Sequence, residues 1–339
     1  MNKKVNKYKI LLNIVLILFI CMIFCTFTKI SEAEEVKKVE KKELTIAFVP
    51  RSLDNPIFLD TFEHSQKKAH ELGVKLEWVA PFHFDTKEQI KIIENLIRRD
   101  VDGMVVSVND VKPIHNVISK AIDNGIPVAT FDADSPGSER QFHIGIDNTK
   151  AGLAIGKALV DVIKKKGQAE ETLDTMIMTG VKDALNLQER ITGFIQATDE
   201  LNLEINDIVE NNDNVNLAVE LVEEYVKNNP EIDIIYFVGG WPFYVPAEAM
   251  PNFQRWAQNG GIAIGIDIFY NALLLQKEGL IDYLIGQDLA TMGSLGLEYM
   301  VNYIRNGKRP PHFIETGLTH ANEQNLNELL EIHKPWLVK

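Results

Sequence analysis

Thiols are nearly absent from this chain of 339 residues: it has two cysteines, Cys21 and Cys25, and both fall within the first 33 positions. The other 306 residues hold none, which excludes a disulfide scaffold, thiol catalysis and cysteine-ligated zinc for the body of the protein. Phosphate-cradling loops are missing as well. No G-x-G-x-x-G follows the first candidate strand, and Gly156-Lys157 is followed by Ala158 where a P-loop needs Ser or Thr. There is no H-E-x-x-H, and Met292 stands where a G-x-S-x-G elbow around Ser294 needs its first glycine. His64 and His70 lie on the exposed face of a candidate helix, where solvation explains them without a metal. Dehydrogenase, kinase and hydrolase readings lose their support, so the chain is not expected to be an enzyme, an unrecognised one being the least favoured alternative, and neither a cofactor nor a metal is expected. A basic surplus is missing too. The formal charge is −13, and because five lysines against Glu32 give the first 33 residues +4, the remaining 306 carry −17. An acidic body disfavours nucleic acid and anionic lipid as partners.

What is present begins with one long apolar run. Residues 10–28 are nineteen uncharged positions in a row, of which Asn13, Thr26 and Thr28 are polar, preceded by Lys3, Lys4, Lys7 and Lys9. A basic stretch, an apolar run and the small-residue site Ser31-Glu32-Ala33 have the form of a secretory signal. The run is long for that purpose and matches a bilayer, so a retained anchor is favoured over cleavage near Ala33. Phe24 before Cys25 and Ile20 before Cys21 argue against lipid attachment. Either way the body faces the outer side of the cytoplasmic membrane. Residues 34–43 are a charged spacer.

The whole chain is 45% hydrophobic and 24% charged, like an ordinary globular protein, and its body alternates strand and helix. Candidate strands lie at 44–49, 76–80, 103–107, 128–132 and 143–146, then at 175–179, 205–210, 234–238, 262–267 and 284–287, with amphipathic spacing between them. Strands apolar throughout and separated by helices imply parallel sheets covered on both faces. At about 150 residues per domain, two such units are expected.

Ligands of open parallel α/β sheets bind beyond the carboxyl ends of the strands. Those positions hold Arg51, Asn55, Phe58, Phe82, Asn109, Asp132 and Asp134, then Asn186, Arg190, Asn212, Trp241, Asp267 and Gln287. The mixture suits a sugar, whose hydroxyls both donate and accept and whose C–H face packs on an aromatic ring. Each position also has a purely structural explanation. Asn55-Pro56 can start a helix, Asp147-Asn148 caps one, and Asp134-Ser135-Pro136-Gly137 is turn chemistry, which makes Asp134 weaker than Asp132. Arg190 can pair with Glu189 or Asp183 on the surface. Trp241 can plug its loop. Asp267, ending an apolar strand, needs a partner, which a ligand or Arg190 supplies.

The words Asp54-Asn55-Pro56-Ile57-Phe58, Asn124-Gly125-Ile126-Pro127 with Thr130-Phe131-Asp132-Ala133-Asp134, and Gly145-Ile146-Asp147-Asn148 occur in order. They continue as Glu189-Arg190-Ile191-Thr192-Gly193-Phe194, Gly265-Ile266-Asp267 and Ile285-Gly286-Gln287-Asp288. In these words, over nearly all of residues 44–320, the chain resembles the type I extracytoplasmic sugar-binding proteins. The resemblance implies two Rossmann-like lobes with parallel sheets, joined by a three-stranded hinge and closing on a sugar without chemistry. It carries ligand contacts onto Asn55, Phe58, Asp132, Arg190, Asp267 and Gln287. Arg51, Asp134 and Trp241 are added from strand-end position.

Departures from the ribose-binding pattern at Ile57, Ala133 and Gly240 beside Trp241 put ribose in doubt and favour a pyranose stacked on Trp241. The chain is also similar to membrane-anchored xylose receptors that work beside a sensor histidine kinase. Sugar-responsive repressors share the fold, but they carry a DNA-binding helix pair where this chain has its apolar run. Crossings near 146–148, 287–288 and 315–318 would place 44–146 and 288–316 in lobe one, and 147–287 and 317–339 in lobe two. The expected partners are a monosaccharide and a membrane sensor kinase, with an ABC sugar permease as the alternative; a sugar-acting enzyme is the least favoured reading. Helix-like residues 325–332 and Trp336 extend past the family core, to pack on lobe two or to meet a partner.

Overall fold

The alternation of apolar strands with amphipathic helices produces two six-stranded sheets. A computed structural model describes residues 43–334. The apolar N-terminal run and nearly all of the spacer (1–42), and the last five residues with Trp336, lie outside that range. Among the described residues no helix is long and apolar enough to cross a membrane.

In the first sheet the order is β2 (Lys75–Trp78), β1 (Thr45–Val49), β3 (Gly103–Val106), β4 (Val128–Phe131), β5 (His143–Gly145) and β11 (Phe313–Glu315), all parallel. Period-two alternation decides what each face buries. Ala47 and Val49 of β1, with Met104, Val106 and Val128, pack under α2 (Thr86–Arg98) and α3 (Val111–Asp123) through Ile93, Leu96, Ile114 and Val117. Ile46 and Phe48 point the other way, to Phe131, Ile144 and the helices α1 (Phe58–Leu72) and α9 (Leu289–Asn306).

The second sheet runs β7 (Asn202–Glu210), β6 (Thr172–Thr179), β8 (Ile234–Phe237), β9 (Ile262–Ile266), β10 (Tyr283–Gln287) and β12 (Leu318–Ala321). Two features depart from the sequence expectation. Strand β12 pairs antiparallel with β10, because the short 316–317 connection from β11 leaves no room for a crossover helix. Strand β7 is an edge, with most of its residues exposed instead of covered on both faces. Its acids Glu204, Asp207 and Glu210 suit such an edge.

Helices α4 (Asn148–Lys166), α5 (Leu185–Ala197), α6 (Val215–Asn228), α7 (Pro251–Gln258), α8 (Tyr270–Lys277) and α10 (Leu326–His333) complete the second lobe. Two of them start on side-chain caps: Asp147 accepts from Lys150 N at 3.0 Å and Asn214 from Leu217 N at 2.9 Å. Helix α10 buries Leu329 and Leu330 and packs on α8.

Three connections pass between the sheets, from β5 into α4, from β10 into α9, and from β11 into β12. The carboxyl ends of both parallel sets therefore face a common cleft.

Candidate functional site

Three aspartates reach the cleft by the same backbone device. Asp132 follows β4 with φ 55°, Asp267 follows β9 with φ 93°, and Asp213 lies just beyond β7 with φ 60°. A left-handed conformation is disfavoured for residues with a Cβ, and it persists only where surrounding structure enforces it. Here it turns each carboxylate out of its strand line into a cavity lined by residues of both lobes.

Lobe one contributes Arg51, Asn55, Phe58 and Asp132. The Arg51 guanidinium lies 5.0 Å from the centre of the Phe84 ring, and its carbonyl accepts from Asn109 Nδ2 at 3.2 Å. Asn55 fulfils its structural role by accepting from Ile57 N at 3.2 Å, while its Nδ2 faces Asp213 Oδ1 at 3.5 Å across the cleft. Asp132 accepts from Ser107 Oγ at 2.9 Å. Burial pushes the Asp132 carboxyl up, against the pull of Arg190 and Arg51.

Lobe two contributes a hydrogen-bonded chain. Arg190 donates to Asn148 Oδ1 at 2.9 Å, Val238 O at 3.1 Å and Gln287 Oε1 at 2.9 Å. Gln287 donates to Asp267 Oδ1 at 2.7 Å, and Asp267 Oδ2 accepts from Gly240 N at 2.9 Å. Arg190 is thus buried in the site and bonded to groups other than Glu189 and Asp183, and Asp267 is partnered by Gln287 and the backbone. Trp241 packs over the bare backbones of Gly180 and Gly239 and donates Nε1 to Asp213 Oδ1 at 2.6 Å.

Eight of the nine residues expected from sequence line this cavity: Arg51, Asn55, Phe58, Asp132, Arg190, Trp241, Asp267 and Gln287. Asp134 does not. It accepts from Arg140 through both oxygens and from Thr130 Oγ1, beside His143. The turn after Asp132 directs its carboxylate toward the hinge strand β5, where a buried cation is available. Phe82 is 63% exposed, outside the cavity, and Asn109 serves behind Arg51.

Asn186, a strand-end position named from sequence but not carried to the expected site, lines the cavity. Sequence reasoning passed over three more contributors: Asp213 lines the cavity, Tyr244 joins it stacked on Phe269 at 4.0 Å, and Asn148, set aside as a cap, orients Arg190. Strand-end counting selected Asn212, in the right loop, where the turn presents Asp213. Tyr244 carried no signal, because it sits on a 3₁₀ turn, Trp241–Tyr244.

Several polar atoms of this lining are buried without a hydrogen-bond partner among the described residues: Arg51 Nε and Nη2, Asn186 Oδ1, Asp213 Oδ2 and Tyr244 Oη. Such atoms are rare in native interiors, and a bound group or ordered water of matching chemistry would satisfy them. No group of three or more His, Cys, Asp or Glu among the described residues is arranged to hold a metal.

Two parallel-stranded lobes around a polar cleft define a two-lobed binding protein. The periplasmic binding protein domain family matches residues 46–309, and the chain belongs to it. It is similar to the ribose import binding protein RbsB of Bacillus subtilis (strain 168), 23% identical over 278 residues, covering 82% of this chain and 87% of that protein. It is 35% identical over 97 residues to the D-xylose-binding periplasmic protein of Escherichia coli (strain K12), covering 29% of each. Among solved structures it is similar to an ABC transporter solute-binding protein of Burkholderia graminis in complex with D-arabinose, at 28% identity and TM-score 0.76, covering 84% of this chain and 97% of that one. Family membership makes the chain a binding protein and not an enzyme, and it places the body outside the cytoplasm.

Proposed function

We propose that this protein binds a neutral monosaccharide, a xylose-like pyranose before others, between its two lobes and closes on it. The observation that carries this is the convergence of buried, unpartnered donors and acceptors on one cavity beside Trp241. Three carboxylates against two guanidinium groups leave no excess cation for a sugar phosphate, and the alternating donors and acceptors match hydroxyls. The relatives named for ribose, xylose and arabinose support the same ligand class. A thermal-shift screen against pentoses, hexoses and their phosphates tests it. One neutral monosaccharide is expected to raise the melting temperature, since it binds the folded state alone; a flat response to every neutral sugar would overturn the ligand class.

The closed form is what a membrane partner reads, and we place that partner as a sensor histidine kinase. The apolar N-terminal run supports this choice, since a retained anchor keeps the receptor beside a stationary partner at high effective concentration. The second reading, a solute-binding component of an ABC sugar importer, is favoured by the relatives named for import. N-terminal sequencing of protein from the membrane fraction separates them: an intact terminus fits the anchored receptor, and cleavage near Ala33 with release fits the importer.

A further inference from the structure

Arg51 and Asp213 form a more selective element than the rest of the lining. Arg51 Nε and Asp213 Oδ2 face each other from opposite lobes at 3.8 Å, with side chains 3% and 2% exposed. That distance is too long for a hydrogen bond. Arg51 Nε, Arg51 Nη2 and Asp213 Oδ2 all lack a hydrogen-bond partner among the described residues. Both groups are nevertheless held in place. The other oxygen of Asp213 accepts from Trp241 Nε1 at 2.6 Å and faces Asn55 Nδ2 at 3.5 Å, while Arg51 is fixed through Asn109 and the Phe84 ring.

Two buried, oppositely charged groups therefore direct unpaired atoms at the same small space, and their burial is costly unless both are satisfied. A phosphate or carboxylate would accept from Arg51 but meet Asp213 with like charge. An ammonium would donate to Asp213 but oppose Arg51. A hydroxyl does both, giving its proton to Oδ2 and taking the guanidinium N–H on its lone pairs.

We propose that the Arg51–Asp213 pair reads one ligand hydroxyl held between the lobes and is the specificity-determining element for that position. The inference rests on the sugar-binding reading above. Because the two groups belong to different lobes, that hydroxyl is bonded from both sides only in the closed state. A ligand lacking it leaves Arg51 Nε and Asp213 Oδ2 facing each other without a hydrogen bond on closure, and a site built to bond a hydroxyl strongly rejects an analogue without it.

The test uses the full chain in detergent. The dissociation constant is measured for the neutral sugar chosen in the thermal screen and for each of its singly deoxygenated derivatives. In the unaltered protein one derivative is expected to bind ~100-fold more weakly or worse. In Asp213→Asn, which keeps an acceptor for Trp241, the penalty at that one position is expected to collapse to ~5-fold or less, with the other positions unchanged, as coupled partners require. Arg51→Gln, made from the other lobe, is expected to collapse the same position and supplies the comparison if the Asp213 variant fails to fold. Unchanged penalties in both variants, or collapse at different positions, would overturn the proposal while sugar binding itself stood. Absence of binding by any neutral sugar in the unaltered protein would instead bring down the sugar reading and this inference together.

Discussion

Arg190 uses its guanidinium nitrogens on Asn148, Val238 and Gln287, and through Gln287 it orients Asp267. Removing either charged member leaves the remaining groups unpaired against a ligand, a loss of several kcal/mol in comparable buried settings. Arg190→Ala and Asp267→Ala are each expected to weaken sugar binding ~100-fold or more by calorimetry, since about 1.4 kcal/mol is tenfold, with far-UV circular dichroism unchanged. Normal affinity in either variant would remove these residues from the site. His143, outside the cavity, contributes to acid stability. Burial lowers its imidazole to about 4, with Arg140 adding to the effect and Asp134 opposing it. The unfolded chain takes up that proton near the ordinary value of ~6.5, so between these pH values the unfolded state holds more protons and stability falls on acidification. The contribution is ~3 kcal/mol at most. Asp134 acts in the same direction at lower pH: burial would raise its carboxyl, but the hydrogen bonds from Arg140 and the neighbouring His143 hold it below its ordinary value. His143→Gln is expected to flatten the pH dependence of urea-melt stability between pH 6.5 and 4, and an unaltered slope would count against this account.

Helices α4 and α5 place Arg190 over the cleft because glycines let their backbones touch. A Cβ on Gly152 would strike the carbonyl of Arg190, and one on Gly193 would strike the carbonyl of Thr149. Gly193→Ala must force the pair apart, which in a packed interior costs roughly 1–3 kcal/mol. The expected outcome is a lowered urea midpoint together with weaker sugar binding, because Arg190 moves with its helix. Loss of stability without loss of affinity would show that Arg190 is positioned by its hydrogen bonds alone. The boundaries of the β/α units were legible in the sequence because apolar strands and capped amphipathic helices repeat. The short strands β11 and β12 were not, since a run of three or four half-exposed residues carries no periodic signal.

Across the molecule, the cavity is lined by Arg51, Asn55 and Asp132 from one lobe and Arg190, Trp241 and Asp267 from the other, so the proposed ligand would bridge the two. Its affinity for the closed arrangement is what shifts the population. Small-angle scattering is expected to show a smaller radius of gyration with saturating sugar than without, and an identical radius in both would argue against ligand-driven closure. The strongly acidic body, −17 over residues 34–339, disfavours binding to anionic lipid.

Composition and pattern alone determined the α/β class, the expectation of two units, the lack of thiols in the body and of phosphate-loop motifs, and most strand-end candidates, because each depends on local periodicity or on residue type; the hinged two-lobe layout was implied by the resemblance. Which strand-end residues share one cavity was decided by tertiary structure. Asp132 turns in and Asp134 turns away, though two positions separate them, because the left-handed φ at Asp132 reverses the chain and Arg140 awaits the second carboxylate. Asp213 displaces Asn212 for the same reason, and it gains its meaning only from Arg51, 162 positions earlier in the chain and 3.8 Å away across the cleft. Such pairing depends on how two sheets are brought face to face, and no window of sequence contains it.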